Sequence, residues 1–311
     1  MEKRCPPILV TGAHRTGTTW IGRMLAAGGE AAYISEPLNV LHRPGVLRVP
    51  TRRWYTYICP ENEGGYLPAL QETLALRYHP LAELGALRSR KDLLRMGRDW
   101  GEFLGGRLFR RRPLLKDPFA VFSAAWFAGR LGCRVVFTLR HPAAFASSLK
   151  RLEWPFQFSD LLEQELLMRD WLAPFREEME RAAAAPGEVV AGAALLWKLV
   201  YTAVARLQEA HPDFLAVRHE DLSLDPEGGY RELYAALGLD FNARAREKIL
   251  NSSSADNPKE LSKEAVHAVR LDSRTNLHNW KRRLTPQEIR LVREIAGEAA
   301  GRYYGPSDWE L

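Results

Sequence analysis

With 311 residues, 46% of them hydrophobic, the chain can bury a full core, either as one large α/β domain or as two small ones. A charged fraction of 26% with scattered Trp, Tyr and Phe excludes intrinsic disorder, and the formal charge of +6 points only weakly to an anionic ligand. The three cysteines, Cys5, Cys59 and Cys133, lie far apart without CxxC or Cys/His ligand spacing, which excludes a disulfide framework and a zinc site and fits a reducing compartment.

The start, Met1 to Pro7, leads straight into a strand-like stretch with no long apolar segment, so neither a signal peptide nor a membrane span is expected and the chain is assigned to the cytoplasm. Ile8 to Val10 opens a series of short apolar runs bounded by turn residues. Ala32 to Ile34, Pro113 to Leu115, Arg134 to Leu139 and Phe214 to Val217 follow, each with the continuous hydrophobicity of a strand buried on both faces. Helical patterns at Thr19 to Ala27, Phe119 to Leu131, Ala143 to Leu152 and Tyr230 to Leu237 alternate with them. The alternation predicts an α/β fold, a parallel central sheet of five strands with helices on its faces, formed by residues 1–311 as a single domain. Insertions at about 38–111 and 150–210 are the places for a lid or an acceptor pocket. The first carries Arg52 to Tyr57, whose aromatics and cations either stack on a sugar or aromatic ring or belong to a helix packed on the sheet.

Ligands of such sheets bind beyond the carboxyl ends of the strands. The residues there are Gly12 to Thr19, Glu36, Lys116-Asp117, Arg140 and His219-Glu220-Asp221, which bring a glycine-containing loop, cations and carboxylates to one cleft. Gly12 to Thr19 spells GxxxxG-T-T, a strand–loop–helix anion cradle in which backbone N–H groups and the helix start converge. It differs from the nucleoside triphosphate loop GxxxxGK[ST] at the Lys that would reach the terminal phosphates; Thr18 stands there, and a guanidinium appears inside the loop at Arg15. No clear magnesium-binding Asp ends an apolar run, although Leu114 to Asp117 is a short candidate, so a metal-free transfer of a group less charged than a phosphoryl is the better reading. The basic runs Arg88 to Lys91, Arg107 to Arg112 and Lys281 to Arg283 would suit phosphates, sulfated glycans or nucleic acid, and the first also reads as a solvated helix face.

His14-Arg15-Thr16-Gly17-Thr18-Thr19-Trp20 resembles the 5′-phosphosulfate loop of sulfotransferases, typically P-K-S-G-T-T-W. Val135 to Pro142 followed by Ser148 is similar to that family's 3′-phosphate element of a strand, an Arg and a helix Ser. Chemistry supports it independently, because Arg forks onto a phosphate and a Ser two turns along a helix donates from the same side. Val217 to Leu222 is similar to the family's R-Y-E-D-L strand end, and Asp272 to Lys281 to the segment that folds over the 3′-phosphate, with Arg274 as its cation. The nearest likeness is to the bacterial and carbohydrate-type branch of this P-loop fold; Lys116-Asp117-Pro118 lacks the His of the steroid-type K-T-H.

The resemblance implies 3′-phosphoadenosine 5′-phosphosulfate as co-substrate and no metal. It places Arg15, Thr16, Gly17, Thr18 and Thr19 at the phosphosulfate, Arg140, Ser148 and Arg274 at the 3′-phosphate, and Trp20 and Trp197 at the adenine, with the Ser252 to Ser254 run near the same base. Glu36 is the expected base, or else a carboxylate pinning its loop; Asp117 is held in reserve. Lys116 and Arg15 are expected at the bridging oxygen, with a structural Lys116–Asp117 pairing as the alternative. The expected partner is a small-molecule or glycan acceptor, its hydroxyl expected on a carbohydrate or glycolipid, with no nucleic acid, no membrane span and only peripheral membrane contact if the acceptor is a glycolipid. The rival readings are a P-loop small-molecule kinase using Arg15, a phenol or secondary-metabolite sulfotransferase, and a non-catalytic binding protein.

Overall fold

The computed structural model describes residues 5–41, 43–258, 270 and 272–310; Met1 to Arg4 of the expected leaderless start lie outside them. The elements used below are β1 (Ile8–Gly12), α1 (Thr18–Leu25), β2 (Ala31–Ser35), α2 (Arg90–Leu108), β3 (Arg112–Lys116), α3 (Ala124–Leu131), β4 (Arg134–Leu139), α4 (Pro142–Leu152), α5 (Val189–Ala210), β5 (Leu215–Arg218), α6 (Pro226–Leu237), α7 (Ala243–Ser253) and α8 (Pro286–Ala300).

The strands form one five-stranded sheet in the order β2-β3-β1-β4-β5, with every pairing parallel. Central β1 is buried along its whole length, which is why its sequence is apolar without alternation. Ile8, Val10, Leu114 and Val136 meet α1, α6 and α7 on one face; Leu9, Leu115, Val135 and Phe137 meet α4, α5 and α8 on the other. The result is three layers, with the strand ends and their loops left to carry chemistry.

Several boundaries shift for local reasons. Phe214 falls outside β5, because its amide turns back to the His211 carbonyl at 3.0 Å. The helix expected from Phe119 starts as a 3₁₀ turn, Pro118–Ser123, capped by the Asp117 carboxylate on the Phe119 amide at 2.9 Å. The helix expected from Tyr230 begins at Pro226, where Asp225 accepts from the Gly228 amide at 2.9 Å; the Pro-Glu-Gly-Gly start reads locally as a turn.

Helix α5 is long and apolar enough to cross a membrane, yet 61% of its most apolar window is buried, and it packs against α4 and α8 as a core helix. The Arg52 to Tyr57 stretch is a turn, not the helix considered as one alternative: Tyr55 sits fully buried at φ 56° and Trp54 packs on Phe119 at 4.4 Å.

Candidate active site

The loop after β1 is built to stay still. Gly12 has φ 148°, and a Cβ there would stand 2.6 Å from the Thr138 carbonyl of the adjacent strand. Gly17 has φ 95°, and a Cβ there would meet His219 Nδ1 at 2.8 Å, so both positions require glycine. Thr16 corrects an expectation: its hydroxyl turns inward, donating to the Ala13 carbonyl at 2.6 Å and lying 2.8 Å from Thr138 Oγ1, with no surface exposed. Its amide turns inward as well, donating to the Ala13 carbonyl at 3.4 Å. Tyr201 of α5 donates to the Thr138 carbonyl at 2.6 Å and accepts from the Ala13 amide at 3.4 Å, tying loop, sheet and core helix together.

Arg15 adopts a left-handed backbone, φ 68°, which directs its guanidinium across the loop to donate from Nε to Ser148 Oγ at 3.3 Å. Arg140 Nη1 donates to the Arg15 carbonyl at 3.2 Å, and Arg140 Nε is buried without a hydrogen-bond partner among the described residues. Three expected residues from three elements therefore meet. Burial, then Arg140 and Arg151, lowers Arg15 to about 10. Burial likewise lowers Arg140 against the pull of Glu220, with Arg283 and Arg151 adding repulsion. Arg151 and Arg283 thus add positive charge near this cluster, a placement the sequence did not give. The first was findable, since it lies one helical turn after Ser148 on α4; the second comes from a distant basic run.

Glu36 also takes a left-handed backbone, φ 50°, with its amide donating to the Lys116 carbonyl at 2.7 Å. Its carboxylate forms an ion pair with the buried Lys116 ammonium and accepts from Asn39 Nδ2 at 2.7 Å. Burial opposes the charge on Lys116, but Tyr33, Glu36 and Asp117 prevail and raise it, so the ammonium persists. Asp117 makes no ion pair with Lys116. Its two oxygens accept from the Leu38 amide (2.6 Å) and the Phe119 amide (2.9 Å), while burial pushes the group up to about 7.

The adenine expectations divide. Trp20 lies edge-on to His219 and Tyr230 at 5.3 and 5.4 Å, and its Nε1 donates to Ser252 Oγ at 2.8 Å, which brings the serine run to it. Trp197 is a correction: fully buried, it donates from Nε1 to the Arg140 carbonyl at 2.8 Å and so stands behind Arg140, with no face open to a ligand. Arg274 is another, since its Nη2 donates to the Leu224 carbonyl at 2.7 Å, and neighbouring Ser273 bonds the Ser223 carbonyl at 3.3 Å.

Three buried histidines are held neutral. His14 sits among Phe119, Phe145 and Phe156 with Nδ1 2.8 Å from Tyr55 Oη, and burial with Arg15 lowers it to about 4. Burial lowers His141, stacked on Trp280 at 5.2 Å, to about 3. Burial and Arg140 do the same to His219, both of whose ring nitrogens lack partners among the described residues. The sequence placed His219 at the cleft beyond the last strand, but its position beside Trp20 with two unpartnered ring nitrogens was not legible there. Glu220 accepts from the His141 amide at 2.9 Å and from Tyr304 Oη at 3.1 Å, so it fixes the chain after β4 as well as β5. Among the described residues no group of three His, Cys, Asp or Glu is placed to hold a metal ion.

The sequence model of the sulfotransferase family matches residues 6–243. No curated protein matches the chain by sequence. Among solved structures, the sulfotransferase domain from the curacin biosynthetic pathway is 16% identical, covers 98% of this chain and 100% of its own, and superposes with a TM-score of 0.50. The sulfotransferase domain of the Synechococcus PCC 7002 olefin synthase is 18% identical over 98% of both chains, TM-score 0.47. A Mycobacterium avium sulfotransferase is 15% identical over 97% of this chain and 77% of its own, TM-score 0.46.

Proposed function

The chain belongs to the sulfotransferase family, with 3′-phosphoadenosine 5′-phosphosulfate as its sulfuryl donor, and from that premise we propose that the acceptor is a carbohydrate or glycolipid hydroxyl and that Glu36 is the base. The observation carrying this reading is the Glu36–Lys116 ion pair at adjacent strand ends, facing the loop that holds Arg15. Coulombic influence of Glu36 on His14 supports that proximity.

In the free protein the two charges of the pair satisfy one another. The donor's sulfuryl group offers the Lys116 ammonium a second anionic partner, and the Glu36 carboxylate takes the acceptor's proton. The acceptor oxygen bonds to sulfur while the bond from sulfur to the phosphate oxygen breaks, and Arg15 and Lys116 meet the charge that develops on that oxygen. Gly17, Thr18 and Thr19 present backbone amides at the start of α1 to the 5′-phosphosulfate. Arg140, Ser148, Arg151 and Arg283 form the 3′-phosphate pole, and His219 with Trp20 the adenine wall.

Asp117 is a poorer base, because both its oxygens already accept backbone amides. It positions Leu38, and through it the turn that carries Glu36. A base carboxylate after the second strand, with Pro118 rather than a His two residues after Lys116, favours a sugar hydroxyl over a phenol. Residues 1–311 act as one catalytic domain, and free Cys5, Cys59 and Cys133 suit the cytoplasm.

Glu36→Gln should lower turnover by about 10²–10⁴-fold while leaving affinity for the adenosine bisphosphate product nearly unchanged. The assay is mass spectrometry of candidate glycan and phenol acceptors incubated with labelled donor. Retained turnover, or transfer to phenols alone, would overturn the reading.

A further inference from the structure

Helix α2 faces water with the wrong chemistry. Its inward side holds Met96, Asp99, Phe103 and Gly106, with Asp99 paired to Arg43 at 2.6 Å. Its outward side carries Leu93 and Leu94 (54% and 77% exposed), Trp100 and Leu104 (47% and 50%) and Leu108 (68%), followed by Phe109 at 72%. Gly97 and Gly101 lie between them with open space around the position of a Cβ. Leu93, Gly97, Trp100, Leu104 and Leu108 follow one another at three- and four-residue spacing, so the exposed apolar residues form one stripe along the helix, with Gly97 bridging its middle. The helix Pro80–Leu84, which packs on α2, exposes Leu81 (83%) and Leu84 (49%) as well. Scattered exposed leucines need no explanation, but a continuous stripe of this length marks an interaction surface.

Charge selects the occupant. Arg88, Arg90 and Lys91 precede the stripe, Arg98 flanks it, and Arg107 and Arg110 follow it, all exposed. Of the three acids on the helix, Asp92 pairs with Arg95 at 2.7 Å, Asp99 pairs with Arg43 and also with Arg98 at 3.3 Å, and Glu102, nine residues after Leu93, lies on the side of the helix away from the stripe. A second copy of the chain would set these cations against their own kind. An anionic bilayer surface would receive the leucines and tryptophan below the headgroups and the arginines at the phosphates. We propose that the outward face of α2, with Leu81 and Leu84, docks this protein on an anionic lipid surface. The docking face is separate from the residues assigned to transfer, and the proposal does not depend on the acceptor's identity.

The test is co-sedimentation of the full chain with vesicles of phosphatidylcholine alone and of phosphatidylcholine with phosphatidylglycerol at about 2:1. Binding is expected only to the anionic vesicles. Leu94→Asp with Leu104→Asp, and separately Arg90→Glu with Arg107→Glu, should each weaken it by at least about tenfold, with melting temperature showing that the variants remain folded. The wild-type chain gives an independent readout, since its binding should fall steeply toward about 1 M salt, where the screening length is about 3 Å. No binding to either vesicle, equal binding to both, or binding indifferent to salt and to both variant pairs would overturn the proposal. So would a dimer seen by light scattering that the Asp variants dissolve, in the absence of vesicle binding.

Discussion

Arg140 shows how much of a side chain's meaning lies in what stands behind it. Its carbonyl is held by Trp197, its Nη1 reaches the Arg15 carbonyl, and its buried Nε has no partner among the described residues. A guanidinium kept in place by its backbone loses little freedom on meeting a phosphate. Arg140→Ala should weaken the adenosine 3′,5′-bisphosphate complex by about 10–100-fold and leave adenosine 5′-phosphosulfate, which has no 3′-phosphate, nearly unaffected. Calorimetric titration of both ligands checks this; equal losses for the two would place Arg140 elsewhere. Sequence motifs made the meeting of Arg15, Arg140 and Ser148 legible, because the expected recognition of a phosphate constrains residue type and spacing. They misassigned Trp197, since a tryptophan at the right distance along a helix says nothing about which face of the helix the fold buries.

The loop joining β1 to α1 holds its shape by forbidding alternatives. Gly17 combines φ 95° with the approach of His219 Nδ1, whereas Gly132, at φ 67°, has nothing within 4 Å of a Cβ. Gly132→Ala should therefore cost only about 1 kcal/mol, the expense of the left-handed backbone. Gly17→Ala adds a collision with a buried ring and should cost at least about 2 kcal/mol, and it should abolish the melting-temperature rise produced by the bisphosphate. Denaturant unfolding of the two variants separates conformation from contact, and equal costs would remove His219 as a constraint. Boundaries of such elements were legible where a cap is local, as at α4. They were not legible at α6, where a Pro-Glu-Gly-Gly start behaves as a helix only because Asp225 caps it and Tyr230 and Leu233 have a core to enter.

For the molecule as a whole, burial of neutral histidines sets the response to acid. His14, His141 and His219 are lowered to about 4, 3 and 3, so below the ordinary histidine value of 6.5 the unfolded chain gains protons that the folded chain refuses. Stability is full above that value and lost as pH falls. Asp117, raised to about 7, acts oppositely, since its folded form holds a proton that the unfolded chain releases. Three groups against two, since Glu220 is raised alongside Asp117, leave a net loss on the order of 1–2 kcal/mol between about pH 7 and 5.5. Urea midpoints at the two values should fall accordingly, and a midpoint that rises on acidification would reverse the assignment of the histidines. The parallel sheet, the anion loop and the strand-end cations follow from the sequence alone, because continuous apolar runs and glycine at obligatory backbone positions are local signals. The Arg151 and Arg283 additions, the Glu36–Lys116 pair and the outward apolar face of α2 belong to tertiary structure, because each depends on which residues distant in the chain share a surface and which side of a helix the core leaves uncovered.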